Sequence, residues 1–325
     1  MGGTSWSDDL YEDRKAYQQS TGTSAFSHDD DIRRGRTTAA AHDILSPKGI
    51  TVRESRDSDA HPNSVAIAIF FDVTGSMGRA PRTFKTKMCG LMNTLLEKNY
   101  CVDPQILVGA VGDWHSDRVP LQIGQFESGN EIDEQLGLVY LEGNGGGQRH
   151  ESYQNALYFL ANKTSMDCWE KRGKKGYAFI LGDELPYGGS TPKEIESIFG
   201  DKIGETVNTP DLIRQVQEKF HLFYLIPGGT SYCNDPSLRA AWESLIGKEN
   251  VIDLNDPDLV CETIGGTVGM FENAITLDQV TTDLGNGDSA LMVRNALTSL
   301  AASSAVQAAA NGGMPASGKS TTVRL

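Results

Sequence analysis

Three oxygen-bearing side chains at alternate positions, Asp72, Thr74 and Ser76, come directly after a run of seven apolar residues at 65–71. One carboxylate and two hydroxyls are hard oxygen ligands, which suit Mg²⁺ or Mn²⁺. The alternative is a simple turn, in which Ser76 only caps the N-terminus of the next helix. The pattern predicts either a metal site or a helix start, and the surrounding elements decide between the two.

The apolar run is typical of a strand buried on both faces, in the centre of a parallel sheet that helices cover. Ligand-binding groups of such sheets lie just beyond the carboxyl ends of the strands. Further apolar runs of strand length occur at 106–111, 177–181, 222–226 and 251–253. Segments with helical periodicity occur at 81–100, 153–161, 212–220, 236–246 and 257–271. This alternation predicts an α/β fold with a doubly wound, mostly parallel sheet and helices on both faces.

Residues 119–123 differ from the other predicted strands. Val119, Leu121 and Ile123 alternate with polar residues, which is typical of an edge strand that is solvated on one face. Only a short connection, residues 114–118, separates this segment from the preceding strand. We therefore expect a hairpin and one antiparallel edge strand.

The stretch DVTGS at 72–76 resembles the metal-ion-dependent adhesion site (MIDAS) of the von Willebrand factor A (vWA) family, which opens its first strand–helix loop with Asp-x-Ser/Thr-x-Ser. The resemblance implies a second carboxylate at the end of the strand after a glycine-rich loop, where this chain has Asp183. It also implies that Thr74 and Ser76 bind the metal directly. Asp72 and Asp183 would then bind it directly or through water and hold the hydroxyls in place.

The glycine-rich loop departs from the family pattern. Residues 145–151, GGGQRHE, resemble the Gly-Gly-Gly-Asp-x-Pro-Glu loop of intracellular vWA proteins, but Gln148 stands where that loop has Asp. The amide oxygen of Gln148 is an uncharged ligand. Glu151, Asp113 or water are the alternatives that would replace the missing carboxylate.

The composition argues against several classes of protein. The chain of 325 residues has a formal net charge of −14, whereas nucleic-acid-binding surfaces cluster Lys and Arg. The five cysteines are scattered without a C-x-x-C pair, so we expect a reducing compartment and no structural zinc. The first residues do not resemble a signal peptide, and no stretch has the apolar length of a membrane span. We therefore expect a cytoplasmic protein without nucleic-acid or membrane partners.

Four segments are expected along the chain. Residues 1–60 form a polar N-terminal arm, either flexible or docked on a neighbour, and residues 61–275 form the vWA domain. Residues 276–310 form a C-terminal helical appendage, and residues 311–325 form a flexible tail. The tail includes GMPASGKS at 313–320, which matches the P-loop pattern. That chemistry needs a preceding strand and a following helix, so we expect no ATP binding.

The resemblance implies a binding module, an adaptor or scaffold, in which the metal engages an acidic residue of a partner protein. An AAA+ ATPase is one such partner by analogy with bacterial-type vWA proteins. A structural subunit of a larger assembly is the first alternative. A metal-assisted hydrolase is the second, with the doublet Asp183-Glu184 as a source of a general base. No catalytic motif accompanies that doublet, so we do not expect an enzyme.

Overall fold

The computed structural model describes residues 5–22, 26–143 and 149–303. Its strands are β1 (Arg53–Ser55), β2 (Ser64–Asp72), β3 (Asp103–Val111), β4 (Leu121–Ile123), β5 (His150–Glu151), β6 (Thr164–Met166), β7 (Gly176–Leu181), β8 (Leu185–Pro186), β9 (Gly189–Ser190), β10 (Val207–Asn208), β11 (Phe220–Pro227) and β12 (Val251–Leu254). Its α-helices are α1 (Asp8–Thr21), α2 (Ser27–Arg33), α3 (Ala80–Glu97), α4 (Glu131–Gly137), α5 (Tyr153–Asn162), α6 (Asp167–Glu170), α7 (Pro192–Phe199), α8 (Thr209–Lys219), α9 (Pro236–Ile246), α10 (Val260–Phe271), α11 (Leu277–Asp283) and α12 (Asp288–Ala301).

The main sheet has the strand order β12-β11-β7-β2-β3-β4. Neighbouring strands are parallel except for β3 and β4, which form the antiparallel pair at one edge. Strand β2 lies between β3 and β7, and every one of its residues is buried. The doubly wound α/β fold, the antiparallel edge strand and the interior position of residues 65–71 are therefore confirmed.

The side chains of β2 alternate between two apolar layers, because successive residues of a strand point to opposite faces. Ile69 and Phe71 pack in one layer with residues of α3 and α10, whereas Ala68 and Phe70 pack in the other with residues of α5, α8 and α9. Burying a large apolar side chain in this way stabilises the fold by about 1.5–3 kcal/mol. Helices cover both faces, so the ends of the strands are the places where polar groups gather.

One expectation about the edge strand is wrong. All three residues of β4 are buried, including Gln122, which the alternation placed on a solvated face. Its amide nitrogen donates to the Tyr140 carbonyl (2.8 Å), and its amide oxygen accepts from the Tyr140 N–H (2.9 Å). A later segment of the chain covers this face of β4, and a polar side chain is tolerated there because both of its polar atoms have partners.

The described part of the N-terminal segment contains the helices α1 and α2, and its flexibility stays a prediction. Phe26 and Asp29 are fully buried, and the carboxylate of Asp29 pairs with Arg33 (2.8 Å) and Arg82 (3.7 Å). The arm therefore packs against the body of this chain itself. Strand β1 pairs in parallel with β6, outside the main sheet.

The predicted C-terminal appendage contains α11 and α12. Val293, Leu297 and Leu300 of α12 are buried in the same apolar layer as α10. The domain boundaries after 60, 275 and 310 remain predictions, and residues 311–325 lie outside the described part of the chain. Within residues 5–22, 26–143 and 149–303, no helix combines the length and apolarity that crossing a membrane requires.

Candidate metal centre

The predicted site lies at the carboxyl edge of the main sheet. Strand β2 ends at Asp72, and β7 ends at Leu181, two residues before Asp183. The two strands are parallel neighbours, with Phe71 opposite Leu181. This register brings the two acidic residues to the same edge, although they are far apart in the chain.

Hydrogen bonds join the side chains of the four main site residues in one continuous series. The Thr74 hydroxyl donates to Asp72 Oδ1 (2.6 Å), and the Ser76 hydroxyl donates to Asp183 Oδ1 (2.9 Å). The hydroxyl oxygens of Thr74 and Ser76 are 3.0 Å apart. Each hydroxyl has one proton, which its carboxylate accepts when ionised. Each oxygen therefore keeps lone pairs for a further positive group.

The turn that carries these hydroxyls is a short 3₁₀ segment, Gly75–Met77, followed by Gly78 with a φ of 53°. Gly78 suits this position because a positive φ strains residues that have a Cβ. Helix α3 has Arg79 as its N-cap, and no side chain caps it. The alternative in which Ser76 only caps this helix is therefore wrong, and the Ser76 side chain faces Asp183 instead.

Each oxygen of the Asp72 carboxylate has a hydrogen-bond donor. Oδ1 accepts from the Thr74 N–H (2.8 Å) as well as from its hydroxyl, and Oδ2 accepts from the Tyr153 hydroxyl (2.9 Å). On the other side of the site, Asp183 Oδ2 accepts from the Tyr232 N–H (2.9 Å). These contacts hold both carboxylates in defined orientations, which is what a preformed metal site requires.

A cluster of three carboxyl groups overlaps this series of hydrogen-bonded side chains. Asp72, Glu151 and Glu184 each offer one oxygen within 4.8 Å of the others, and all three residues are buried. Burial raises the pKa of Asp72 to about 7 and the pKa of Glu184 to about 9, and neighbouring carboxylates add to both shifts. Burial and the charge of Asp72 also raise the pKa of Glu151 well above its usual range. Without a cation, this cluster retains protons near neutral pH.

The ionised forms of these carboxyl groups have no cationic side chain to balance them among the described residues. In the part of the chain that the structure describes, no Lys or Arg forms an ion pair with Asp72, Asp183, Glu151 or Glu184. The donors are carboxylate and hydroxyl oxygens, which are the ligands of hard divalent cations. Two ligands about 2.1 Å from Mg²⁺ and at right angles are about 3.0 Å apart, which matches the spacing of the two hydroxyls. The residues present therefore fit a divalent cation.

The less certain candidates have different positions. Glu151 belongs to the carboxyl cluster, whereas Asp113 does not. Asp113 accepts hydrogen bonds from the His115 N–H (3.2 Å) and the hydroxyls of Ser116 (2.8 Å) and Ser152 (3.1 Å), so it shapes the turn after β3. Gln148 lies outside the described residues.

The sequence does not predict two residues of this site. It indicates Glu184 only as a source of a general base, although the position beside Asp183 could have suggested a further ligand. Tyr153 begins a segment that helical periodicity alone identifies, and such periodicity carries no information about where a hydroxyl points. Its contact with Asp72 depends on the packing of α5 against the sheet.

No protein-family profile matches the chain, and no curated protein matches it. Among solved structures, the open form of the pilus adhesin SpaC from Lactobacillus rhamnosus GG is 10% identical with a TM-score of 0.45, over 66% of this chain and 31% of the adhesin. Proximal thread matrix protein 1 from the mussel byssus, with a zinc-occupied MIDAS motif, is 13% identical with a TM-score of 0.42, over 70% of this chain and 47% of that protein. The chain thus spans less than half the length of either protein, and similarity this low carries no argument about function.

Proposed function

We propose that this protein is a metal-dependent protein-binding module, an adaptor or scaffold of the vWA type. The observation that carries the proposal is the pair of Thr74 and Ser76 hydroxyl oxygens, 3.0 Å apart, each with its proton directed to a carboxylate. These oxygens lie beside buried carboxylates with which no Lys or Arg of the described residues pairs. Such a group of oxygens suits Mg²⁺ or Mn²⁺. The DVTGS motif that supplies them resembles the MIDAS sequence, so the motif and the geometry lead to the same proposal.

In this proposal the residues divide into two groups. Thr74 and Ser76 offer their hydroxyl oxygens to the cation, whereas Asp72 and Asp183 orient these hydroxyls and supply negative charge. Thr74 and both aspartates are buried, but Ser76 is partly exposed. A partner would therefore approach from the side of Ser76. When bound, the cation supplies a positive charge that attracts an acidic side chain of the partner.

The charge of the protein makes this interaction depend on the metal. A chain with a formal net charge of −14 and clustered carboxylates at the site repels an acidic partner. Only a cation at the site would reverse the sign of that interaction locally. We propose a cytoplasmic protein partner with an accessible Asp or Glu, and an AAA+ ATPase remains such a partner by analogy with the family.

Binding is a better proposal than catalysis for these residues. Both oxygens of the Asp72 and Asp183 carboxylates accept hydrogen bonds from hydroxyl or amide groups of the chain. A carboxylate held in this way is poorly placed to take a proton from water. A role as a structural subunit is compatible with the binding module, since both need the same folded surface.

The first experiment tests metal binding by isothermal titration and thermal melting with MgCl₂ and MnCl₂. Binding to the folded state should raise the melting temperature, by the equivalent of about 2.7 kcal/mol at one hundred times the dissociation constant. Thr74→Val removes one ligand oxygen with little change in shape, and it should abolish most of this response.

The matched control is Thr267→Val. Thr267 is also buried, and its hydroxyl donates to the Thr263 carbonyl within α10 (2.8 Å), away from the site. Both variants should lose about 0.5–1.5 kcal/mol of stability, but only Thr74→Val should lose the metal response. A wild-type protein whose melting temperature does not change with millimolar Mg²⁺ or Mn²⁺ would refute the metal site.

The second experiment tests the carboxylate ligand with immobilised poly-glutamate and poly-glutamine peptides. The wild-type protein should bind only the glutamate peptide, and only with Mg²⁺ or Mn²⁺ present. Equal binding to both peptides, or binding to poly-glutamate that EDTA leaves unchanged, would contradict the proposed mode of recognition.

A further inference from the structure

A buried tyrosine lies directly behind the candidate metal centre. Tyr153 is the first residue of α5, has no exposed surface, and donates its hydroxyl proton to Asp72 Oδ2 (2.9 Å). The other oxygen of this carboxylate accepts two hydrogen bonds from Thr74. Asp72 is therefore held at both oxygens, by the metal-site turn on one side and by helix α5 on the other.

Two further aromatic residues fix the ring of Tyr153. Its centroid lies 5.7 Å from that of Tyr224 and 5.7 Å from that of Trp242, in edge-to-face arrangements. Tyr224 and Trp242 stack on each other with centroids 3.9 Å apart. The chain also leaves space for the hydroxyl at Gly182, where an added Cβ would lie only 2.0 Å from the Tyr153 oxygen. The Gly182 backbone thus lies close to the hydroxyl, which faces Asp72.

Two of these three aromatic residues hold the second acidic segment of the site. The Tyr224 hydroxyl and the Trp242 Nε1–H both donate to the Glu184 carbonyl, each at 3.0 Å. Glu184 follows Asp183 directly. The aromatic group formed by Tyr153, Tyr224 and Trp242 therefore contacts both acidic segments. Tyr153 donates to Asp72, and the other two donate to the Glu184 carbonyl. A group in this place sets the relative position of the two segments, which lie on different strands.

We propose that Tyr153 is a positioning residue of the metal centre, which holds the Asp72 carboxylate in the orientation that directs the Thr74 hydroxyl toward the cation. This inference rests on the proposed function and adds a residue to it that the DVTGS motif does not contain. The hydroxyl donates to Asp72 and would act on the cation through that carboxylate. Removing a hydrogen-bonding partner of this kind typically lowers metal affinity by about 10- to 100-fold.

The test is Tyr153→Phe, which removes the hydroxyl and keeps the ring. Mn²⁺ affinity is measured directly from the electron paramagnetic resonance signal of free Mn²⁺, and stability is measured by melting in EDTA. The matched control is Tyr177→Phe. Tyr177 is also buried, and its hydroxyl donates to the Glu272 carboxylate (2.6 Å), but it lies near the start of β7, at the opposite end of that strand from Asp183.

We expect both variants to melt at lowered temperatures in EDTA, because each leaves a carboxylate without one donor, Asp72 in one case and the partly buried Glu272 in the other. Only Tyr153→Phe should weaken Mn²⁺ binding, by about 10- to 100-fold. In an Asp72→Asn background, Tyr153→Phe should cause little further loss, since residues that act through one another are not additive. If Tyr153→Phe does not fold, incorporation of 3-fluorotyrosine, a stronger hydrogen-bond donor, should raise Mn²⁺ affinity in the folded protein.

The outcomes separate the two proposals. Wild-type and Tyr153→Phe proteins that bind Mn²⁺ within about twofold of each other would refute the role of Tyr153 and leave the metal site intact. Equal losses of affinity in Tyr153→Phe and Tyr177→Phe would show a general effect of stability and would refute it as well. A wild-type protein without Mn²⁺ binding would refute both proposals.

Discussion

The metal-free protein should lose stability as the pH rises through neutrality. A carboxyl group whose pKa is higher in the folded state than in the unfolded chain binds its proton more tightly when folded. The pKa of Asp72 rises from 3.8 to about 7 because the group is buried and lies near Asp183. The folded state is therefore favoured at low pH, and this advantage disappears as the pH rises from about 4 to above 7.

The size of the effect follows from the shift. Each pKa unit corresponds to about 1.4 kcal/mol, so ionising Asp72 without a cation costs the folded state on the order of 4 kcal/mol. This is an upper limit, because water entry and side-chain relaxation lower the cost of a buried charge. About two of these pKa units are lost between pH 5 and pH 8, on the order of 3 kcal/mol. At about 2–4 °C per kcal/mol, the melting temperature in EDTA should fall by roughly 5–10 °C over this range. Saturating Mg²⁺ should restore most of this loss at pH 8.

The assay is thermal melting from pH 5 to pH 8, in EDTA and in MgCl₂, for the wild type and two variants. Asp72→Asn removes one titrating group and should make the profile in EDTA less steep, whereas Glu184 and Glu151, whose pKa values are also raised, still contribute to it. Asp211→Asn changes the net charge by the same amount at an exposed surface pair with Arg214 and should keep the wild-type profile. Parallel profiles for the wild type and Asp72→Asn would refute the reasoning, because the pH dependence would then arise elsewhere.

Four further results are expected. Asp29→Ala should lower the free energy of unfolding in urea by about 1–3 kcal/mol, since this buried carboxylate accepts hydrogen bonds from an arginine and a backbone amide; a loss below about 0.5 kcal/mol would contradict that role. Gly182→Ala should lower the melting temperature far more than Gly188→Ala, because an added Cβ lies 2.0 Å from a tyrosine hydroxyl at the first position and meets nothing within 4 Å at the second; similar losses would contradict the close approach. Glu184→Gln should raise the melting temperature in EDTA and weaken Mn²⁺ binding, because it removes one of three clustered acidic groups; unchanged values would place this residue outside the site. Calorimetry should detect no micromolar ATP binding, and an affinity that Lys319→Ala removes would overturn the interpretation of residues 313–320.

The N-terminal helices illustrate a limit of periodicity as a predictor. Helix α1 has no buried residues, so its sequence contains no apolar stripe that would identify it. Its position depends on polar contacts, such as the ion pair between Arg14 and Asp133 (2.8 Å). Contacts of this kind join residues far apart in the chain, and the sequence around one partner does not predict the other.

The sequence by itself determined the sheet and the first turn of the candidate site. Residues 65–71 are apolar throughout because helices cover both faces of β2, and that burial leaves a strong local signal. The spacing of Asp72, Thr74 and Ser76 is likewise local, since one turn of backbone places all three side chains. Because β2 and β7 are parallel neighbours, both end at the same edge of the sheet, and Asp183 therefore lies near this turn.

The tertiary structure alone decided which other groups surround that turn. Gln122 is buried because the Tyr140 backbone covers it, and Glu151 and Glu184 approach Asp72 because separate loops converge at the edge of the sheet. The contact of Tyr153 with Asp72 depends on the packing of α5 and on the missing side chain at Gly182. The pKa of a carboxyl group depends on burial and on charges around it in space. Neither quantity has a local pattern in the chain, so the sequence could name the candidate ligands but not the electrostatic field around them.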